Sequence, residues 1–411
     1  MRKDEMTADI AIVGGGLVGL TLAIACAAAE FSVVVVDREV PANAADDAFD
    51  GRGSAIAWGS AQVLKGLGLW DDLAPHAGAI DDIRVSDGDS LLFLHYDHRS
   101  VGDHPLGYII ENRFTRRALY KRVAAMPRIR LLAPMQASLL AQDATTATLA
   151  LAGGGQITAR LVVACDGRGS AVREQAGIGV TRWDYAQTAI VASFTHAKPH
   201  RGIAHERFLP AGPFAVLPLP DAPDGRHQSS LVWTERRDLV PAMLALPDDE
   251  FAAEIAERFG PGLGRIAATG RRWSYPLGVV LADRYVAGRV ALAGDAAHGV
   301  HPIAGQGLNM GLRDVAALAE CLVDAARLGL DPASSLALER YERWRRFDNL
   351  SLLAVTDVLN RLFSNDIAPL RLVRDLGLGL VEQIPPLKRL FMRHAMGVVG
   401  DLPRLVRGEK L

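Results

Sequence analysis

The sequence has few cysteines. Cys26, Cys165 and Cys321 are the only three in 411 residues and lie far apart, which excludes both a disulfide framework and a clustered zinc site. They read as ordinary buried thiols of a protein kept in a reducing compartment. An excess of either charge is also lacking. Forty-five basic residues stand against 47 acidic ones, a net charge of −2, so no nucleic-acid partner is expected. There is no internal repeat and no low-complexity segment. The opening stretch MRKDEMTADIAIVGGG mixes both charge signs and lacks a secretory cleavage region. A long uncharged run, Ile10 to Ala29, matches a membrane-crossing helix in length, but Gly14, Gly15, Gly16 and Gly19 interrupt it where a helix needs continuity. It reads as strand, tight turn and helix, and a cytoplasmic location is expected.

What is present is the composition of an ordinary globular protein, 49% apolar and 22% charged, long enough for two or three domains. Asp9 to Val13 and Val33 to Val36 read as strands on either side of a helix, Leu17 to Ala29, which makes a βαβ unit. An acidic, small-residue loop runs from Arg38 to Gly53, and a helix is expected over about Ser54 to Gly66. Helix Glu111–Val123 and strands Arg130–Leu132, Ala147–Leu151 and Arg160–Ala164 follow. From about Trp183 to Tyr275 the chain carries alternating strands such as FAVLPL and SSLVWT, with an inserted helix, Asp248–Phe259. Arg289–Ala293 reads as a strand, Gln306–Leu328 as a long helix, and the chain from Leu336 onward as mostly helical. The expected fold class is α/β. A discontinuous Rossmann-like cofactor domain (1–75, 108–180 and 276–345) carries an inserted antiparallel β-sheet substrate domain (76–107 and 181–275) and a helical C-terminus (346–411).

Gly14, Gly16 and Gly19 form a G-x-G-x-x-G between a strand and a helix. The first permits the tight turn, the second lets backbone N–H groups approach a pyrophosphate, and the third lets helix and strand pack closely. Asp37, at the end of the second strand, suits a pair of ribose hydroxyls and argues against a 2′-phosphate there. The motif alone does not separate FAD from NAD. A second segment, ACDGRGSAVR, ends a strand at Asp166 and Gly167, and by itself is equally a plain Asp-Gly turn. A third, GDAAHGVHPIAGQGLNMGLRDV, invites a metal reading through Asp295, His298 and His301. Gly299 and Pro302 prevent the regular helix that would bring those side chains together, so no metal is expected. The loop instead leads into the N-terminus of the helix at Gln306, whose free N–H groups would stabilise negative charge on a flat ring. Ala304, Gly305 and Gly307 leave room for such a ring.

These three segments resemble, in order and spacing, those of the class A FAD-dependent aromatic hydroxylases. With GRGSAIAWGSAQVLKGLGLWDDL, IIENRFTRRAL, RFLPAGPFAVLPLP, SSLVWT and YERWRRFDNLSLLAVTDVLNRLFSN, the whole chain is similar to the ubiquinone-biosynthesis branch of that family. The resemblance implies that Gly14, Gly16 and Gly19 hold the FAD pyrophosphate and Asp37 the adenosine ribose. Arg52 and Asn112 would approach the FAD, unless they are surface or capping residues. Asp166 and Gly167 would lie near the pyrophosphate, Asp295 at the ribityl or phosphate region, and Pro302, Gly305, Gly307, Leu308 and Asn309 along the isoalloxazine. It further implies hydroxylation of a polyprenylated phenol by way of a flavin hydroperoxide, with dioxygen as co-substrate and NAD(P)H or a separate reduced redox protein as electron donor. No catalytic side chain is assigned. His298 and His301 serve either proton handling or loop packing.

The resemblance also implies a substrate pocket between the β-rich domain and the flavin. Phe208, Phe214, Leu217 and Pro218 of RFLPAGPFAVLPLP, with Trp233, would form its wall, unless they are plain sheet core. The C-terminal stretch LRLVRDLGLGLVEQIPPLKRLFMRHAMGVV is apolar with interspersed basic residues. It suits helices that cap the catalytic domain, peripheral contact with the inner face of a membrane, or a lipid-carrying or ubiquinone-biosynthesis complex partner. The sequence carries no mark of a particular oligomeric state. A hydroxylase of a small soluble aromatic and a flavin-binding assembly factor without turnover are the alternative readings.

Overall fold

The computed structural model describes residues 5–44, 46, 51–88, 93–300, 305–363 and 381–411. Strands Val290–Leu292, Gln156–Ala164, Glu5–Val13, Val33–Val36 and Ile129–Leu132 lie side by side in that order, all parallel. Both faces of this sheet are covered, so its strands are nearly continuous in Val, Ile, Leu and Ala. Helix Leu17–Ala28 and the long helix Gln306–Arg327 pack together on it. Antiparallel strands Ala137–Gln142, Ala147–Leu151 and Val286–Ala287 extend the sheet to eight strands.

The second sheet also has eight strands, in the order His298–Gly299, Ile266–Ala282, Val180–His196, His227–Arg236, Gly212–Pro218, Ile203–Leu209, Asp82–Asp87 and Phe93–Asp97. It is antiparallel except where Ile203–Leu209 runs parallel to Asp82–Asp87. Two of its strands, Val180–His196 and Ile266–Ala282, are each 17 residues long and run on beside the first sheet. The edge strand His298–Gly299 belongs to the loop that follows Leu292, so one chain segment touches both sheets.

A three-stranded sheet, Gly53–Ala57, Gly107–Glu111 and Gly78–Ile80, lies between them. It corrects the helix expected over Ser54–Gly66. Residues Gly53–Ala57 form a strand, and the helix is Trp58–Gly66. The local preference of Ser-Ala-Ile-Ala is overridden by pairing with Gly107–Glu111. The small side chain of Ala55 is required as well, because Gly305 lies against it. The C-terminal region contains helices Ser335–Phe363 and Pro385–Ala395. Among the described residues, no helix is long and apolar enough to cross a membrane.

Candidate active site

Four chain segments leave the parallel sheet at one edge. Val13 is in register with both Val36 and Ala164, and Ala164 with Leu292. The residues that follow these four strand ends are Gly14, Asp37, Cys165-Asp166 and Ala293-Gly294-Asp295. The three sequence motifs therefore converge at the carboxyl ends of adjacent strands, where open α/β sheets bind ligands.

The first turn needs its glycines for different reasons. Gly14 has φ +106°, and a Cβ there would lie 2.3 Å from the carbonyl oxygen of Cys165. A Cβ on Gly16 would meet nothing within 4 Å, so the space in front of it is open. Helix Leu17–Ala28 begins at Gly16 with no side-chain cap and no acidic residue in its first turn. Its N–H groups and the positive end of its dipole face that space. Asp37 stands beside the turn. One carboxylate oxygen accepts from the Gly15 N–H, the other from Glu39 N–H at 2.8 Å, and each keeps further lone pairs for a hydroxyl.

A second uncapped helix start lies at Gly305. This residue is left-handed, φ +61°, and the helix Gln306–Arg327 begins there with no side-chain cap and no acid in its first turn. A Cβ on Gly307 would again meet open space. Leu308 is half-buried.

Arginines and one aspartate hold the loop between these helix ends. Arg168 donates to Asp295 at 3.3 Å and to the Val300 carbonyl at 3.1 Å. Arg173 is buried and donates to the carbonyls of Ala296 at 2.8 Å and Arg168 at 2.9 Å. Asp166 accepts from Ala171 N–H at 2.9 Å with one oxygen, while its other oxygen is buried without a protein partner. Gly167 has φ +85°. Asp314, fully buried, accepts from Gly294 N–H at 3.0 Å, Arg345 at 2.9 Å and Asn349 at 3.2 Å, and pairs with His298 at 2.5 Å. Burial pushes the Asp314 carboxyl up, but His298 and Arg345 outweigh it and hold the group well below the usual carboxylate range. His298 Nδ1 is buried and unpartnered. Burial pushes the thiols of Cys26 and Cys321 up to about 12, so neither provides a thiolate near neutral pH.

Two open, uncapped helix starts, a carboxylate beside the first, and a buried unpartnered acceptor between them describe a cradle for an extended anionic dinucleotide. A family profile for an FAD binding domain matches residues 7–347. The chain is 53% identical, over 99% of its length, to a ubiquinone hydroxylase, UbiL, from Rhodospirillum rubrum, and covers 94% of that protein. It is 37% identical to 3-demethoxyubiquinol 3-hydroxylase of Escherichia coli, over 95% of this chain and 98% of that one. The chain belongs to the FAD-dependent ubiquinone-biosynthesis hydroxylases. Its fold matches the crystal structure of p-nitrophenol 4-monooxygenase PnpA from Pseudomonas putida, with a TM-score of 0.79 at 22% identity, covering 96% of this chain and 98% of that one.

The hydroxylase is thus a flavoprotein monooxygenase. Its cofactor, FAD, supplies the redox and dioxygen chemistry when bound. The open space at Gly16 and Gly307 and the uncapped helix starts fit that group. Other expected site residues have protein partners. Asn112 is buried, accepting from the Ser54 hydroxyl at 2.6 Å, and the Arg52 guanidinium stacks 4.6 Å from the Tyr275 ring. The Asn309 amide is engaged with the protein. It accepts from Ala57 N–H at 2.9 Å and donates to the carbonyls of Ala55 at 2.8 Å and Gly305 at 3.0 Å. Its side chain fastens the helix start to the strand Gly53–Ala57. Pro302, His301 and Ala304 lie outside the described residues.

The expected substrate wall is corrected for two residues. Phe214 and Trp233 are cross-strand partners and both fully buried. They pack with Phe251 and Ile255 of helix Asp248–Phe259, on the sheet face turned away from the cofactor edge. The pleat sends Ala215, Leu217 and Val232 to the opposite face. That face meets the three-stranded sheet. The Ser230 hydroxyl, paired with Leu217, lies 3.2 Å from where a Cβ on Gly53 would stand, and the Trp273 ring lies against Gly51. Phe208 is on this side too, packed with Leu94 and Val381. Pro218 is buried, its carbonyl against Gly78. The residues missed in the sequence are Arg168, Arg173, Asp314 and Arg345, which hold the loop, and Trp273 and Tyr275. Charged residues inside apolar runs, as in NMGLRDVAAL, are the available signal for Asp314.

Proposed function

We propose that this chain hydroxylates the aromatic ring of a polyprenylated phenol on the route to ubiquinone, using FAD, dioxygen and electrons from NAD(P)H or a separate reduced redox protein. The observation that carries the reading is the sheet face that meets the three-stranded sheet, where apolar Val191, Phe208, Ala215, Leu217 and Val232 predominate over Ser193, Glu206 and Ser230. An apolar wall suits a greasy ring and tail, whereas a small carboxylate buried there would need a partner. Relatives named for ubiquinone hydroxylation support the same substrate class.

In this reading Gly14, Gly16 and Gly19 admit the FAD pyrophosphate to the first helix start, and Asp37 receives the ribose hydroxyls. Asp295, fixed by Arg168, meets the ribityl or phosphate region. Gly305, Gly307 and Leu308 lie along the flavin ring, where the helix N–H groups stabilise negative charge on its edge. Arg52 and Asn112 approach the cofactor from the three-stranded sheet. The sheet wall holds the phenol and keeps water from the reacting ring. The first sheet with residues 276–345 serves the cofactor, and the second sheet serves the substrate.

The test is turnover of a short-chain prenylphenol by the FAD-loaded protein under oxygen, with the product identified by mass spectrometry. A deletion in the native host should accumulate an under-hydroxylated quinone precursor. An unchanged quinone pool, with rapid hydroxylation of a small soluble phenol, would instead favour a soluble-aromatic hydroxylase.

A further inference from the structure

The outer edge of the second sheet carries a like-charge pair. Strands Asp82–Asp87 and Phe93–Asp97 are antiparallel, and Asp82 stands directly opposite Asp97. Two carboxylates facing each other across strands repel, so this register favours a cation between them. Two histidines join the pair. His95, opposite Arg84, brings its Nε2 to 3.3 Å from an Asp82 carboxylate oxygen. His98, in the turn that follows, donates its Nδ1–H to the Asp81 carbonyl at 3.0 Å, which leaves the lone pair on Nε2. One donor atom from each of Asp82, Asp97 and His98 lies within 4.8 Å of the other two. The four side chains are 22–30% exposed, partly desolvated yet open to an ion.

Two of these atoms lack a hydrogen bond. Asp82 Oδ1 and His95 Nε2 are both buried, and neither has a hydrogen-bond partner among the described residues. Buried polar atoms are normally satisfied, and one divalent ion would satisfy both. Zinc holds imidazole nitrogen and carboxylate oxygen at about 2.0–2.2 Å, and two ligands on a tetrahedron of that radius stand about 3.4 Å apart. The 3.3 Å between Oδ1 and Nε2 matches that edge. Two imidazoles with two carboxylates suit zinc better than magnesium or calcium, which take oxygen. Arg99 competes for Asp97, which it pairs with at 2.8 Å. That guanidinium is 75% exposed, and an ion pair so open to water holds weakly.

We propose that Asp82, His95, Asp97 and His98 bind one zinc ion, which ties the last two strands of the sheet to the His98–Ser100 turn. The site lies at the opposite edge of this sheet from His298–Gly299, away from the cofactor loop, and its effect is mechanical. Val85 and Leu94 of these two strands pack with Phe208, so a bound ion stiffens the margin of the wall assigned to the substrate. The metal site itself does not depend on the polyprenylphenol reading.

The experiment uses the untagged, FAD-loaded full chain, stripped with a chelator and titrated with zinc against a chromophoric zinc indicator. The parent should take up one zinc per chain, and its melting temperature should rise as it does. Asp82→Asn with His95→Gln should weaken zinc binding at least about tenfold, since even a change outside a ligand shell costs about that much. His98→Gln should weaken it too. Arg99→Gln should do the opposite and tighten zinc severalfold, because it frees Asp97 and removes a positive charge beside the ion. Flavin content should stay at the parent level in every variant. X-ray absorption of the zinc-loaded parent, which needs no variant, should show nitrogen and oxygen neighbours and no sulfur. Equal zinc binding by parent and double variant would overturn the proposal. So would sulfur ligation, weaker binding in Arg99→Gln, or a parent that takes up no zinc.

Discussion

A methyl group on Gly19 would sit 1.9 Å from the carbonyl oxygen of Gly14. That contact is backbone against backbone, so nothing flexible can yield. Gly19→Ala should therefore force the helix away from the first strand and destabilise even the cofactor-free protein, by on the order of 1–3 kcal/mol. Gly16 differs, because a Cβ there meets nothing. Gly16→Val should leave the melting temperature of the apoprotein near that of the parent and weaken FAD binding. Thermal melts of both apoproteins and fluorescence titration with FAD separate the two effects. Equal FAD affinity in Gly16→Val and parent would mean the cofactor lies elsewhere.

Arg173 joins the Asp166 segment to the Asp295 loop through the carbonyls of Ala296 and Arg168. Arg173→Met keeps much of the volume and removes both donors. The loss should be about 1–3 kcal/mol, the cost of leaving buried carbonyls unpaired. FAD affinity should fall with it, since the loop carrying Asp295 is no longer held. Arg173→Lys should not restore both bonds, because an ammonium lacks the planar fork. Urea unfolding and FAD titration of the two variants check this.

Asp314 makes stability depend on acid. Its folded-state carboxyl is held below the usual carboxylate range, so its contribution is fully present above the unfolded value near pH 4 and is lost as pH falls below that. The parent should lose stability steeply on acidification below about pH 4. Asp314→Asn removes one of the two carboxylates paired with buried Arg345, leaving Asp348 at 2.6 Å, and should cost about 1–3 kcal/mol at neutral pH. It should also flatten the acid limb. Denaturant midpoints at a series of pH values test both. Parallel pH curves for parent and variant would show that another carboxylate controls the acid limb.

Phe214 and Leu217 are three positions apart and lie on opposite faces of one strand. Phe214→Ala should destabilise the protein by about 3–5 kcal/mol and leave the KM for a prenylphenol near the parent value. Leu217→Glu should do the reverse, raising KM several-fold with little change in melting temperature or flavin content. Steady-state kinetics beside thermal melts decide. A raised KM in Phe214→Ala with unchanged stability would return that residue to the substrate wall.

The glycine turn was legible because its determinants are local. Gly14 needs a positive φ, Gly19 needs an absent Cβ, and the strand and helix on either side differ in period. The open helix starts at Gly16 and Gly305 follow from glycine at the cap and the lack of nearby acids, both visible in sequence order. The strand Gly53–Ala57 was not legible, since four small residues carry no period and take their form from the partner strand.

Two features depended on tertiary structure alone. The stretch FAVLPL is apolar at every position, because both faces of its strand are buried. Alternation then carries no sign of which face is which, and only the packing of helix Asp248–Phe259 on Phe214 and Trp233 assigns it. Asp314, Arg345 and His298 come from three separate segments, and a buried carboxylate is tolerable only where its partners arrive together in space. The sequence by itself determined the glycine turn, the parallel strands and the long helix, whose causes lie within a few residues of one another. The faces of the second sheet and the charge cluster beneath the loop were decided by contacts between segments far apart in the chain, whose free energy exists only once the chain is folded.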